Sequence, residues 1–430
     1  MNPNIAIAIL LTTFVLLIMI KCPITFSMII STAFTMLYIQ VPVMTLVQQM
    51  SKQLNSFSLL AIPFFILMGE IMAAGGISSR LLAFANVCVG QITGGLAHVN
   101  VLASMLFGGI SGSAIADVSS LGALEIPMME EAGYEKDFSI AVTVASSCQG
   151  LIIPPSHNMV IYATAAGGVS VGALFMAGYI PGALLAVSLM IGSYIISVKR
   201  NYPKGEAFDI KVFLRQLSKS FWALAAVLIV VAGVVGGIFT ATESAAIAVI
   251  YSMLVSVFIY RGLDWKGVWR VLGECIDTLS IVLILCATSS IFGYCLTYLH
   301  VPDLASMAIS GLTDNPIVLT LLINIILLFL GCIMDMAPII LIATPILLPL
   351  AKSIGIDPVQ FGIIIVLNCG IGLLTPPVGT CLFIGSAVSK VSIERIVKAA
   401  LPFYVCMIVT LLAVSFIPQV SLFLPSIFIK

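Results

Sequence analysis

The sequence predicts an all-α, polytopic membrane protein whose chain is internally duplicated. Three observations predict it. The composition lies far from the globular balance, one constant spacing relates the two halves, and each half carries the same glycine- and proline-rich interruptions inside apolar segments.

Of the 430 residues, 61% are hydrophobic and only 8% charged, with a mean hydropathy of +1.21. A chain of that balance belongs in a bilayer. Long apolar runs such as "IAIAILLTTFVLLIMI" (5–20) argue for helical spans rather than for the short alternating strands of a barrel. At roughly 20 residues per span, the length accommodates about ten to fourteen crossings and leaves no room for a soluble domain. The opening "MNPNIAIAILL" lacks the basic start of a signal peptide and reads as the first permanent span.

Formal net charge is zero, so nothing points to nucleic acid, and no phosphate loop points to ATP. The ten cysteines are scattered without a C-x-x-C pair, which disfavours metal or disulfide roles.

Residues 198–220, "VKRNYPKGEAFDIKVFLRQLSKS", carry six basic residues against Glu206 and Asp209. The positive-inside tendency makes this connecting segment cytoplasmic. It divides the chain into a first repeat, 1–197, and a second, 221–430. The two match at a constant offset of 222 residues (372 less 150). Gly150 and Pro154-Pro155 of "CQGLIIPPSHN" pair with Gly372 and Pro376-Pro377 of "CGIGLLTPPVGT"; Gly109 pairs with Gly331, Pro127 with Pro349 and Gly133 with Gly355.

Duplication with a Gly/Pro-interrupted apolar segment in each half is the sequence pointer to a secondary transporter and to its binding site. One interruption per half, "GGISGSAIAD" and "GCIMDMAPIILIATP", is flanked by apolar runs too short to span alone and reads as a re-entrant hairpin. The other is the Pro-Pro break. Proline lacks an N–H and disfavours helix at the residue before it, so both breaks free carbonyls near mid-membrane. Such backbone is tolerated only where protein covers it or it lines a cavity. Freed carbonyls and hydroxyls suit a hard monovalent cation, and half-helix N-termini suit an anion, so two breaks predict two cation sites. Gly109-Ile110-Ser111-Gly112 also fits the G-x-S-G pattern of an intramembrane serine protease, with His157 or His300 as a nominal base. A duplication has no part in that chemistry.

Through "IPFFILMGEIMAAGG" (62–76), "SGSAIADVSSLGALEIPMM" (111–129), "GIFTATESAAIAV" (237–249), "DMAPIILIATPILLP" (335–349) and "GIGLLTPPVGT" (370–380), essentially the whole chain resembles the large membrane subunit of the tripartite ATP-independent periplasmic (TRAP) transporters. The resemblance implies a sodium-coupled importer of organic acids in the bacterial inner membrane, supplied by a periplasmic binding protein and accompanied by a small four-helix membrane subunit. It also implies an inverted structural repeat with two re-entrant hairpins and two broken helices, working as an elevator. Carried over, a first sodium site lies between Ser111, Gly112, Ser113 and Gly150, Pro154, Ser156, and a second among Gly331, Gly370, Gly372, Thr375 and Thr380. The substrate carboxylate then lies between the tips, with His157, Asn158, Ser289, Ser290 and Thr344 as candidates to face it.

Each candidate has a plainer reading. Small residues in membrane helices usually permit close packing, and serine hydroxyls usually bond back to their own helix. Ionisable residues in spans are functional candidates by default, here Glu70, Asp117, Glu243 and Asp335. Glu243, after Thr240 and Thr242, reads as a helix-start charge; Asp117 as either a brace for the tip or a ligand. His98 and His300 read as packed or interfacial. Nearer rivals to the tripartite reading are a stand-alone sodium/dicarboxylate symporter and a proton-coupled carrier. As cargo, the polar stretch "PPSHNMVIYATAAGG" (154–168) favours a sialic acid over a C4-dicarboxylate.

Overall fold

The structure is a computed structural model that describes residues 3–310 and 315–429. All named elements are helices, and an isolated β-bridge joins Thr93 to Lys204. Among the described residues seven helices are long and apolar enough to cross a membrane, or up to nine if two bent pairs each count once.

The offset of 222 residues holds in the helices along the chain. Pro3–Met19 and Ile24–Tyr38 correspond to Ile210–Val235 and Ala241–Leu254; Met44–Leu54 with Ala61–Ala74 corresponds to the continuous Trp265–Tyr298; Ile77–Val89 corresponds to Val301–Ser310. Next in each half comes a hairpin. Its arms are Gly95–Ser111 followed by Ala114–Ser120 and Gly122–Glu131 in the first repeat, and Pro316–Ile333 with Met336–Ser353 in the second. The second hairpin differs from expectation, because each of its arms has 18 residues and is long enough by itself to cross. A broken helix follows: Lys136–Ser147 and Gln149–Ile152 before His157–Ala165, and Pro358–Gly372 before Thr380–Ser389. Long closing helices, Val171–Lys199 and Ile393–Phe416, complete the halves.

The repeats run in opposite senses. Val171–Lys199 ends in Lys199 and Arg200, whereas its counterpart begins beside Lys390, Arg395 and Lys398. With basic ends on the cytoplasmic side, one helix enters the cytoplasm where the other leaves it. Equivalent residues then meet at a pseudo-two-fold axis. Ser188 Oγ lies 3.1 Å from Thr410 Oγ1, 222 positions on. A Cβ placed on Gly370 would lie 2.7 Å from Sγ of Cys148, its equivalent.

The connection between halves is shorter than the basic stretch, because Ile210–Val235 begins inside it. Residues 200–209 are pinned against the loop entering the first hairpin, with Gly94 N–H donating to Pro203 O and Gly205 N–H to Gly90 O. Ion pairs from Arg200 to Glu135 and from Arg395 to Asp137 fasten the same face.

Each hairpin approaches its broken helix backbone to backbone. A Cβ on Gly108 would land on Gly150 of the first break, and a Cβ on Gly331 would lie 3.0 Å from Gly372 Cα. The packing partner of Gly150 is therefore Gly108, one residue before the Gly109 that the sequence offset pairs with Gly331. Gly109 instead faces the break, where an added Cβ would lie 3.2 Å from Pro154 O.

The far side of each break is also closed, by different chemistry. In the first repeat Gly178 and Gly182 of Val171–Lys199 let that helix settle onto Ile152 and Ile153. In the second, the equivalent of Gly182 is Tyr404, whose hydroxyl donates to the carbonyl of Leu374, the equivalent of Ile152.

Gly372→Ala should therefore destabilise the protein by about 1–3 kcal/mol, as overpacking of a tight contact does. Gly293→Ala, at a helical position with nothing within 4 Å of the added methyl, should be neutral or mildly stabilising. Thermal unfolding in detergent checks both; equal behaviour of the two variants would contradict the close approach.

Candidate functional site

Each site is assembled where a tip meets a break. In the first repeat, Gly95–Ser111 stops because Gly112 takes up the left-handed conformation (φ 62°) and returns its N–H to Gly108 O at 2.8 Å. Glycine adopts that conformation without steric cost. Ser113 is extended and caps Ala114–Ser120, its Oγ accepting the Ala116 N–H. Ser111 Oγ lies 3.4 Å from Ser113 N and 3.5 Å from Ser113 O, so the hydroxyl stays at the tip.

This tip lies directly on the break. Between Ile152 and His157 the chain leaves the helix and turns by 50°. Ile153 through Ser156 are all buried. Asn158 Nδ2 lies 3.5 Å from Gly112 O, and a Cβ on Gly112 would lie 3.3 Å from both Pro155 O and His157 Nδ1. From the other side, a Cβ on Gly150 would lie 3.6 Å from Ser113 O. Pro155 O and the Ser156 backbone thus both lie against Gly112 of the tip, and the buried Ser156 hydroxyl has no partner among the described residues. An unmatched buried hydroxyl beside break carbonyls costs free energy unless a ligand meets it. The donor set is all oxygen and lacks a formal charge, which suits a hard monovalent cation. The helix Ala61–Ala74 reaches the same tip, with Gly69 against Ser111.

The second site has the same plan and different atoms. Val378 N–H donates to Cys332 O at 3.0 Å, clasping break to hairpin, and Thr380 Oγ1 donates to Asp335 Oδ1 at 3.3 Å. Thr375 donates its hydroxyl back to Ile371 O at 2.8 Å, which leaves the oxygen's lone pairs able to coordinate a cation. Pro376, Pro377 and Val378 are exposed, whereas the first break is buried throughout. Gly331 and Gly372 form the close contact beneath this site, while Gly370 lies at the seam with Cys148.

The substrate candidates divide between elements. His157 and Asn158 open the helix after the first break. Thr344 is buried on the second arm of the second hairpin, its hydroxyl without a partner among the described residues, and this arm packs against both His157–Ala165 and Trp265–Tyr298. Ser289 and Ser290 sit on Trp265–Tyr298 and donate to the carbonyls of Cys286 and Ala287 on their own helix; Ser290 also lies 3.3 Å from Gln49 O.

Among the acids, Glu243 completes a capping box with Thr240, accepting the Thr240 N–H at 2.8 Å from an exposed position. Glu70 is half-buried on Ala61–Ala74, which packs against Trp265–Tyr298. His98 is buried; His300 is exposed and pairs with Asp303. Asp117 is fully buried and braced: its Oδ1 lies 3.0 Å from Ser104 Oγ, which lies 3.0 Å from Ser146 Oγ, and Ser146 in turn donates to Asn100 Oδ1. A second buried carboxylate, Glu125, has neither oxygen matched among the described residues. Sequence reasoning passed over it, although an acid inside "GALEIPMM" (122–129) was the available signal.

The family model for the tripartite ATP-independent periplasmic transporter, DctM component, matches residues 11–420. An uncharacterized protein, YgiK of Salmonella typhimurium, is 43% identical, covering 98% of each chain. The sialic acid TRAP transporter large permease protein SiaM of Vibrio cholerae is 38% identical over 95% of each, and the C4-dicarboxylate large permease DctM of Pseudomonas aeruginosa 40% over 86% of each. Among solved structures, the Alcanivorax borkumensis YdaH transporter superposes with a TM-score of 0.66 at 14% identity, covering 89% of this chain and 88% of that one, a likeness of fold. The chain belongs to the DctM-component family of TRAP transporters: it is a large permease subunit, a multi-pass transport protein of the inner membrane and not an enzyme.

Proposed function

We propose that this permease imports an organic acid, a sialic acid in preference to a C4-dicarboxylate, released to it by a periplasmic binding protein and drawn inward by at least two sodium ions. The small four-helix membrane subunit completes the assembly. The observation that supports the reading is the doubled meeting of hairpin tip and Pro-Pro break, once in each repeat, with the repeats meeting about one pseudo-two-fold axis.

Ser113, Pro154, Pro155 and Ser156 would hold one sodium and Thr375, Thr380 and the carbonyls around them the other. Each ion would draw a tip and a break together and so shape the space between them, where an acid carboxylate would meet His157, Asn158 and Thr344. Coupling then needs no separate machinery, because substrate binds well only when both tips are drawn in. Sialic acid is favoured by the polar run from Ser156 to Asn158; the relatives named for sialic acid and for C4-dicarboxylate are similar to nearly the same degree, at 38% and 40% identity. In the proposed elevator motion, hairpins and broken helices travel together against the remaining helices. The glycine contact of Gly69 with Ser111 offers a smooth bearing for it.

Two outcomes are expected. Ser156→Ala should raise the sodium concentration for half-maximal uptake about threefold to tenfold, the worth of one lost neutral ligand. An unchanged sodium dependence removes that hydroxyl from the site. In proteoliposomes holding the permease and its small subunit, uptake of labelled sialic acid should require both an inward sodium gradient and the binding protein. Persistence without the binding protein would favour a stand-alone symporter, and persistence without sodium a proton-coupled carrier.

A further inference from the structure

A pocket of about 630 Å³ opens on the cytoplasmic side of the scaffold, where three segments meet. These are the bend at Gly75-Gly76, where Ala61–Ala74 and Ile77–Val89 diverge by 74°, the first turns of Ile210–Val235, and the end of the span Ala241–Ile259. Its position follows from the basic connecting stretch that leads into Ile210–Val235.

Arg80 and Lys219 line it, with Gln216, Ser79, Trp222 and Tyr260, and no carboxylate lies among the lining residues. Arg80 is held in place. Its Nη1 donates to Gly76 O at 2.6 Å, its guanidinium lies 3.9 Å from the centroid of the Tyr260 ring, and its own carbonyl accepts from Ser220 Oγ. Tyr260 is fixed in turn, donating to Lys219 O at 2.8 Å and accepting the Ala223 N–H. A guanidinium stacked on a ring and bonded through one nitrogen keeps further N–H groups for a planar or tetrahedral anion.

The rim is apolar where the protein meets lipid. Trp222 is 41% exposed, Ile259 44% and Phe258 68%. Trp265 and Trp269, the other two tryptophans of the chain, are also exposed a few residues beyond Tyr260. Tryptophan and tyrosine prefer the headgroup level, and basic pockets between spans on the cytoplasmic side suit anionic headgroups.

We propose that this pocket binds the phosphate of an anionic phospholipid of the cytoplasmic leaflet, with the acyl chains running along Trp222 and Ile259. The lipid would wedge the Gly75-Gly76 bend against the neighbouring spans. Its binding is independent of the transported acid and of sodium.

Tryptophan quenching by brominated lipid tests it. In the full chain carrying Trp265→Phe and Trp269→Phe, Trp222 is the sole tryptophan. Titrated in neutral-detergent micelles, brominated phosphatidylglycerol should quench it at about a tenfold lower mole fraction than brominated phosphatidylcholine, the order expected of two basic side chains at an anionic surface. Adding Arg80→Gln and Lys219→Gln should erase that preference and leave phosphatidylcholine quenching unchanged. Should the double change disturb folding, Lys219→Gln alone, at an exposed side chain, should still reduce the preference about threefold. Equal quenching by the two lipids in the unaltered pocket would overturn the proposal. So would a preference that survives loss of both basic groups. Recovery of Trp222 fluorescence on adding inorganic phosphate would overturn the lipid assignment in favour of a soluble anion.

Discussion

In hydrocarbon no backbone polar group can be left to water, and each Pro-Pro break exposes several. The rest of the architecture answers that constraint. A hairpin tip covers each break from one side and a long helix from the other, and both approaches are close enough to demand glycine at Gly108, Gly150, Gly331, Gly372 and Gly178. Covering is only partial in polarity. The first break is buried while its Ser156 hydroxyl has no partner among the described residues, which is the condition for a membrane-buried ligand site, whereas Pro376 to Val378 of the second stay exposed.

Buried polar ladders hold each hairpin in register with its broken helix. In the first half Ser146 is the hub, joined to Asn100 and Ser104 and through them to Thr143 and Asp117. In the second half the equivalent position is Asn368, which donates to Asn324 Oδ1 at 2.7 Å, while Asn324 donates to Ser415. Linked side chains of this kind fix geometry inside a low-dielectric interior, although Asp117 Oδ2 and Asn368 Oδ1 stay unmatched among the described residues. The hub position is shared and the partners are not, so the two halves keep one task with different atoms.

Much of this was legible in the sequence, because glycine and proline mark backbone events and the backbone is what repeats. The offset of 222 residues located both hairpins, both breaks and the helices around them. What stayed hidden depended on distance across the fold. Gly108 rather than Gly109 meets Gly150 because the tips differ locally, with Gly112 left-handed in one and Met334 extended in the other. Gly370 sits beside the second break in sequence yet packs on the first repeat. Glu125 stands out only through its burial, and the pocket at Arg80 draws its residues from three separated segments.

The pseudo-two-fold axis has a consequence for how such a chain diverges. At most positions the two copies of a duplicated segment see different surroundings and vary independently. On the axis a residue faces its own duplicate, so any enlargement is felt twice while the copies stay identical, as in a self-complementary dimer interface. Only two solutions are open there: a small side chain that bonds to its like, as Ser188 does with Thr410, or a large partner set against a vanishing one, as Cys148 is against Gly370. The seam between the halves is thus where symmetry of the fold compels asymmetry of the sequence.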